Sequence, residues 1–287
     1  MLQAPSMDIS GNSGCSVRLI KKGYQLAVEK SCSQASYIPR LKAQIEKQNT
    51  FRAFTSSVAI SIPELYWESE SINHYCAVME FLPYLDFIDF FGTCSVPALF
   101  KSIDTIEAFI DENTRSSTSK INLAALAKLY EIEQKVTTDK DKIQIIQHSA
   151  RQLRNILLNK DIFLPNGECH GDFTLSNMVF TTSGENIGLF DFLDSYIDSP
   201  AIDLVKLRQD TQLGWSFIKT RKPSSRIRIH QGLNQMDLFA ERKLSELDVS
   251  KEDYNVLQAV NILRILPYAN DALTLSFIQR SLNILEA

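Results

Sequence analysis

The 287-residue chain predicts an α+β fold of two lobes: a small antiparallel β lobe with one helix, then a larger, mainly helical lobe. Three observations predict it. Strand-like segments separated by short polar turns crowd the region before Leu82. Helical periodicity dominates after Pro83. Between the long helices, a loop and a short hairpin gather polar side chains. The expected division is residues 1–82 and residues 83–287.

The elements follow in order. Cys15 to Ile20 and Tyr24 to Glu29 form a hairpin around Lys21-Lys22-Gly23, where glycine suits a tight turn. Pro39 to Thr50 is a helix, with Pro39 near its start and Leu41 and Ile45 on one face. Glu64 to Trp67 and Tyr75 to Phe81 are two more strands, and Ser69 to Asn73 supplies the polar turn between them. Asn122 to Val136 is a helix rich in Ala and Leu. Asp141 to Leu158 is another, with Ile143, Ile146, Ala150, Leu153 and Leu157 along one stripe. Met178 to Phe180 and Ile187 to Phe190 pair as a hairpin across Ser183-Gly184-Glu185-Asn186. The chain beyond Ser199 is mostly helical and ends in helices over Tyr254 to Leu266 and Ala272 to Leu285.

Composition narrows the function classes. A formal net charge of -4 gives no reason to expect a nucleic-acid partner or an anionic membrane. No run of 18 apolar residues occurs, so no membrane span is expected. The first residues lack a basic cluster with an apolar core, so no secretory signal is expected. The 5 cysteines are scattered, with no C-x-x-C pair, which predicts reduced thiols in a cytoplasmic protein.

The chemistry is concentrated between Cys169 and Asp191. His170-Gly171-Asp172 is followed by Asn177, an apolar strand, a turn, and a second apolar strand ending in Asp191. Phosphoryl transfer from ATP needs one carboxylate to take the acceptor hydroxyl's proton. An amide oxygen and a second carboxylate are needed to hold the magnesium that bridges the phosphates. Asp172 is the candidate base, and Asn177 and Asp191 are the candidate ligands of Mg2+, a hard cation that prefers oxygen. Protein kinases carry these parts as H-R-D-x-x-x-x-N and D-F-G. Here a glycine stands for the Arg, and the second motif reads Asp191-Phe192-Leu193. His170 is assigned a structural role, its ring fixing the loop by a backbone hydrogen bond.

Lys30, on a strand of the small lobe, is the candidate clamp on the nucleotide phosphates. An exposed strand lysine is the competing reading, since Lys21 and Lys22 are close by. The helix after it should offer an acid to pair with Lys30. Its apolar face instead neighbours Gln44 and Gln48, while Glu46 points roughly 100–140° away at ~100° per residue. The partner of Lys30 is therefore open: a glutamine replaces the acid, or the helical register differs. Ser10-Gly11-Asn12-Ser13-Gly14 is either a phosphate-binding turn or a plain N-terminal one.

Together these residues resemble the aminoglycoside phosphotransferase and choline kinase family, which has a protein-kinase-like fold. The resemblance covers most of the chain and is strongest over His170 to Asn177, Asp191, and Ser199-Pro200-Ala201-Ile202-Asp203-Leu204. It implies that Asp203 steadies the loop structurally. It also implies that Val78-Met79-Glu80-Phe81-Leu82 is the hinge strand, with Glu80, Phe81 and Leu82 meeting the adenine. The runs Phe190 to Ser195 and Lys206-Leu207-Arg208-Gln209-Asp210 look like family members thought to serve bacterial capsule or surface-glycan synthesis.

The expected enzyme is thus a small-molecule kinase using ATP and Mg2+. Residues 1–82 would bind the nucleotide, and residues 83–287 would carry catalysis and the acceptor. Only 11 residues separate Asp191 from Asp203. That is too short for the peptide-gripping loop of a protein kinase, so the acceptor is expected to be a small molecule or glycan precursor. Lys219 to Arg228 is strongly basic. It either favours an anionic acceptor or is a solvated loop. The alternative is a nucleotide-binding pseudokinase acting as scaffold or regulator, motivated by the weak glycine loop and the missing helix acid. The oligomeric state is left open.

Overall fold

The computed structural model describes residues 7–8, 15–54, 59–218 and 226–286. The chain has the α+β architecture that its sequence predicts, and it divides into two compact units that are not contiguous in sequence.

The first unit holds the residues up to Phe90, then Cys94–Thr105 and Asn177–Asp194. Its main sheet is antiparallel, in the order β1 (Met7–Asp8), β2 (Ser16–Lys22), β3 (Gln25–Cys32), β6 (His74–Glu80), β5 (Leu65–Ser71). Gly23, at φ 63°, turns the chain between β2 and β3, a conformation glycine adopts without strain. Helix α1 (Ile38–Phe54) buries Ile38, Leu41 and Ile45 with Cys32, Tyr75, Ala77 and Met79 of this unit. Burying the Ile38, Leu41, Ile45 and Met79 side chains stabilises each by about 1.5–3 kcal/mol relative to exposure. A second sheet runs β4 (Ile60–Ser61), β11 (Ile187–Leu189), β10 (Met178–Phe180), β7 (Leu85–Asp86). The hairpin β10–β11 joins this unit because β11 pairs with β4 in parallel and β10 pairs with β7.

Helices α2 (Phe87–Thr93) and α3 (Val96–Asn113) each have residues in both units. The second unit is helical. It contains α4 (Asn122–Lys135), α5 (Lys140–Asn159), α6 (Pro200–Thr211), α7 (Arg226–Glu246), α8 (Lys251–Leu263) and α9 (Ala272–Glu286). Helix α5 begins where the Asp139 side chain accepts the Asp141 and Lys142 N–H groups, which otherwise lack helical partners. Ile146, Ala150, Leu153 and Leu157 are buried along it, while Ile143 is half-buried. Helix α6 starts at an N-cap Ser199 followed by Pro200, whose fixed φ suits a first helical turn. It is buried from Pro200 to Asp210. Arg208 anchors it to α7 by two 3.0 Å bonds to Asp237.

One element of this unit escaped the sequence. β8 (Thr114–Lys120) and β9 (Phe163–Gly167) form a two-stranded antiparallel sheet. β8 reads Thr-Arg-Ser-Ser-Thr-Ser-Lys, with no apolar alternation, and β9 contains Pro165, which normally argues against a strand. With a single partner each, both strands are edges, where proline is tolerated.

Candidate active site

The loop from Cys169 to Leu175 lies in the second unit and is held from below by α6. Asp203 is fully buried, and its carboxylate accepts two backbone N–H groups, from His170 at 2.6 Å and Gly171 at 2.9 Å. Gly171 has φ 84°, so a side chain here would strain the turn that presents both N–H groups to one carboxylate. The buried His170 ring accepts the Asp172 N–H at Nδ1, 3.2 Å away, which requires that nitrogen to be unprotonated. Phe173 anchors the loop in the core, stacked on Phe109 with centroids 5.5 Å apart.

Asp172 itself is partly exposed and lies 3.3 Å from the buried Lys206 ammonium. Burial alone would raise the Asp172 carboxyl. The charge of Lys206, with a smaller pull from Arg264, outweighs it and holds the group below the ordinary carboxylate range. Burial pulls the Lys206 ammonium down, against the pull of Asp172. Lys206 also meets Gln209 Oε1 at 3.3 Å. One turn on, the buried Asp210 accepts the Leu175 N–H at 2.5 Å, the Ser216 N–H at 2.7 Å and the Ser216 hydroxyl at 2.9 Å. Burial pushes the Asp210 carboxyl up to about 6, with a further rise from the Asp172 charge.

Asp203, Lys206 and Asp210 are therefore one helical face at i, i+3 and i+7. The helix rises ~1.5 Å per residue, so these groups span roughly 10 Å and meet the loop at successive points. Sequence reasoning gave Asp203 a role only through resemblance and gave Lys206 and Asp210 none. The available signal was polar residues at helical spacing amid Ala201, Ile202, Leu204, Val205 and Leu207, all buried.

In the first unit, Lys30 lies on β3, paired with Val17 and Ala77 on its two sides. It shares its sheet face with Val28 and Cys32, both packed in the cluster with α1. Its buried ammonium donates to Asp191 Oδ1 at 2.6 Å and to Gln44 Oε1 at 3.3 Å. The helical partner of Lys30 is thus a glutamine, and Glu46 is exposed. Gln48, also buried, donates to the Pro63 carbonyl at 3.0 Å.

Asp191 follows β11 with φ 62°, a left-handed conformation that Asp tolerates better than most residues but that costs of order 1 kcal/mol. Asn177 precedes β10, and its carbonyl accepts the Phe190 N–H at 3.3 Å. Both candidate ligands therefore sit at one end of the same hairpin. Phe192 is fully buried against Phe51, with centroids 5.0 Å apart, and Lys47 donates to the Leu193 carbonyl at 2.6 Å. These contacts fix the chain on the far side of Asp191.

Glu80 ends β6 opposite Ala27, and its N–H bonds the Glu64 carbonyl at 2.8 Å. Phe81 and Leu82 follow, both half-buried, and the Leu82 carbonyl accepts the Tyr84 N–H at 2.9 Å. The Ser10 to Gly14 turn lies outside the described residues, as does the basic run from Lys219 to Ser225.

The donor set fits Mg2+. Among the described residues, no three His, Cys, Asp or Glu side chains gather as a metal cage. Mg2+ needs none, since it takes one or two protein oxygens and completes its shell with phosphate and water. A carboxylate at Asp191 and an amide oxygen at Asn177 are such donors.

The fold is that of kinase-like antibiotic phosphotransferases. The chain is similar to the crystal structure of a thermostable mutant of the aminoglycoside phosphotransferase APH(4)-Ia, with TM-score 0.66 and 13% identity over 99% of this chain and 94% of that one. It is also similar to a putative fructosamine-3-kinase from Haemophilus somnus 129PT (TM-score 0.51, 13% identity, 99% and 92% covered). A third similar structure is spectinomycin phosphotransferase in complex with ADP and spectinomycin (TM-score 0.52, 10% identity, 98% and 92% covered). A sequence search of curated proteins finds no match. Residues 35–247 match the model of the phosphotransferase enzyme family, and the chain belongs to that family. It is an enzyme of the phosphotransferase class.

Proposed function

We propose that this phosphotransferase is a small-molecule kinase that moves the γ-phosphoryl group of ATP to an acceptor hydroxyl. The observation that carries this reading is Asp172: an ionised, partly exposed carboxylate on a loop whose backbone is pinned by a buried acid. A group kept ionised and reachable is what proton acceptance from a hydroxyl requires. In the proposed reaction the acceptor oxygen forms the new O–P bond, its proton goes to Asp172, and the bond to the ADP oxygen breaks.

Lys30 is assigned to the nucleotide phosphates, with the backbone at Glu80, Phe81 and Leu82 assigned to the adenine. Asn177 and Asp191 would hold Mg2+, which when bound neutralises charge on the phosphate oxygens. His170 and Asp203 are assigned to loop support, through the bonds described above. Nucleotide binding is thereby given to residues 1–82, and acceptor binding with catalysis to residues 83–287. ATP use is supported by the ADP found with spectinomycin phosphotransferase and with an APH(4)-Ia mutant also bound to hygromycin B.

The acceptor is a sugar, sugar phosphate or amino alcohol, including precursors of bacterial surface polysaccharide, and the reaction belongs to the cytoplasm, where ATP is available. The short interval from Asp191 to Asp203 supports a small acceptor. The test is a mass-spectrometric screen of these acceptor classes with ATP and Mg2+. One class should gain a phosphoryl group in step with ADP formation. Nucleotide binding with no transfer to any acceptor would instead favour a scaffold.

A further inference from the structure

Helix α8 is apolar at its inner end except for Gln258 and Asn261, both fully buried, and the half-buried Arg264 that caps it. Arg264 Nη1 donates to Asn261 Oδ1 at 3.1 Å, and its guanidinium lies 5.5 Å from the Tyr196 ring centroid. No carboxylate pairs with it among the described residues. The Tyr196 hydroxyl is buried and also lacks a hydrogen-bond partner among them. Burial raises the Tyr196 phenol, which keeps it a donor. The segment bearing Tyr196 is strapped to the start of the catalytic loop: Gly167 N–H bonds Asp198 O at 3.3 Å, and Cys169 Sγ bonds Ile197 O at 3.8 Å. The Arg264 charge lowers both the Asp172 carboxyl and the Lys206 ammonium.

A half-buried guanidinium with no carboxylate in ion-pair contact among the described residues, near another buried cation, leaves a place for a ligand's anion. Its planar fork matches the oxygens of a carboxylate or phosphate. We propose that Arg264, with the Tyr196 hydroxyl beside it, binds an anionic group of the acceptor whose hydroxyl Asp172 deprotonates. This rests on the kinase reading and narrows it to acidic acceptors, in contrast to the polycationic ones of antibiotic kinases.

The test titrates the protein, with Mg2+ and a non-hydrolysable ATP analogue, against glucuronate, glucose 6-phosphate, glucose and glucosamine. At least one anionic probe should bind about tenfold or more tightly than glucose, with glucosamine weakest, a step of the size one charge-assisted pair supplies. Which anionic probe wins separates a carboxylate from a phosphate. Arg264→Leu should erase the preference through KM, and Arg264→Lys should keep part of it. Equal or tighter binding of glucose or glucosamine overturns the inference. So does binding of none of the four, or an Arg264→Leu loss in kcat that is the same for every acceptor. If Arg264→Leu does not fold, the wild-type ranking and competition by inorganic phosphate decide. Nucleotide binding is read separately: without it the kinase reading falls and takes this inference with it, and with it only the inference is at stake.

Discussion

Two carboxylates, one in each unit, sit in matching surroundings. Asp191 bonds Lys30, which also bonds Gln44; Asp172 bonds Lys206, which also bonds Gln209. In each trio a buried ammonium donates to an acid and to an amide oxygen. The assembly differs. Lys206 and Gln209 are three residues apart on one helix, and that helix also carries Asp203 and Asp210, so the Asp172 trio is built on a single rigid rod. The Asp191 trio gathers a strand, a helix and a hairpin end, and its acid sits in a left-handed backbone conformation. A proton acceptor gains from rigidity. A carboxylate assigned to a metal and its phosphates gains from a lysine that can exchange one anion for another. That is the division of labour proposed above.

In the trio of the first unit, the largest effect is expected at Asp191. Asp191→Asn should lower phosphoryl transfer by about 10²–10³-fold and raise the Mg2+ concentration needed for half-maximal rate. A magnesium titration of initial rates checks it, and chelation with EDTA should silence the wild type. Next is the rod. Asp203→Asn replaces an acid that accepts two buried N–H groups, and the loss should be about 2–4 kcal/mol in denaturant unfolding.

The pH response separates neighbours on the same helix. Asp210, raised to about 6 from its ordinary 3.8, contributes stability that is full below the unfolded value and is lost as pH rises through about 6. Asp172, held low, contributes stability that is present above the ordinary carboxylate range and is lost as pH falls. Asp210→Asn should therefore remove a decline on the order of 2–3 kcal/mol between about pH 4 and 6, seen as a flatter unfolding curve against pH. The smallest effect is Gln44→Glu. Adding the missing acid beside Lys30 should change KM for ATP by less than about fivefold, a step of roughly 1 kcal/mol or less.

Much of this was legible in the sequence, for physical reasons. The β2–β3 hairpin, α1, α4, α5 and β10–β11 announce themselves through turn glycines, a proline near a helix start, Ala and Leu content and apolar stripes, which are local signals. Gln44 was visible as a wheel neighbour of Leu41 and Ile45, and the structure supplies the contact that selects it. The β8–β9 pair was not legible, because its sequence is polar on one strand and proline-bearing on the other, and pairing alone makes it a sheet. Lys206 and Asp210 were hidden differently. Their partners lie more than thirty residues upstream in the chain, at Asp172 and Leu175, and only the packing of α6 beneath the loop brings them together.

The central claim is that Asp172 serves the transfer step and not the nucleotide. It is tested most directly by Asp172→Asn, measured twice on one preparation: a calorimetric titration with Mg–ATP, and kcat with the acceptor found by the screen. The account predicts nucleotide affinity within about threefold of wild type and kcat lower by about 10²–10⁴-fold. Undiminished transfer by the variant, or loss of nucleotide binding in a folded variant, would contradict it.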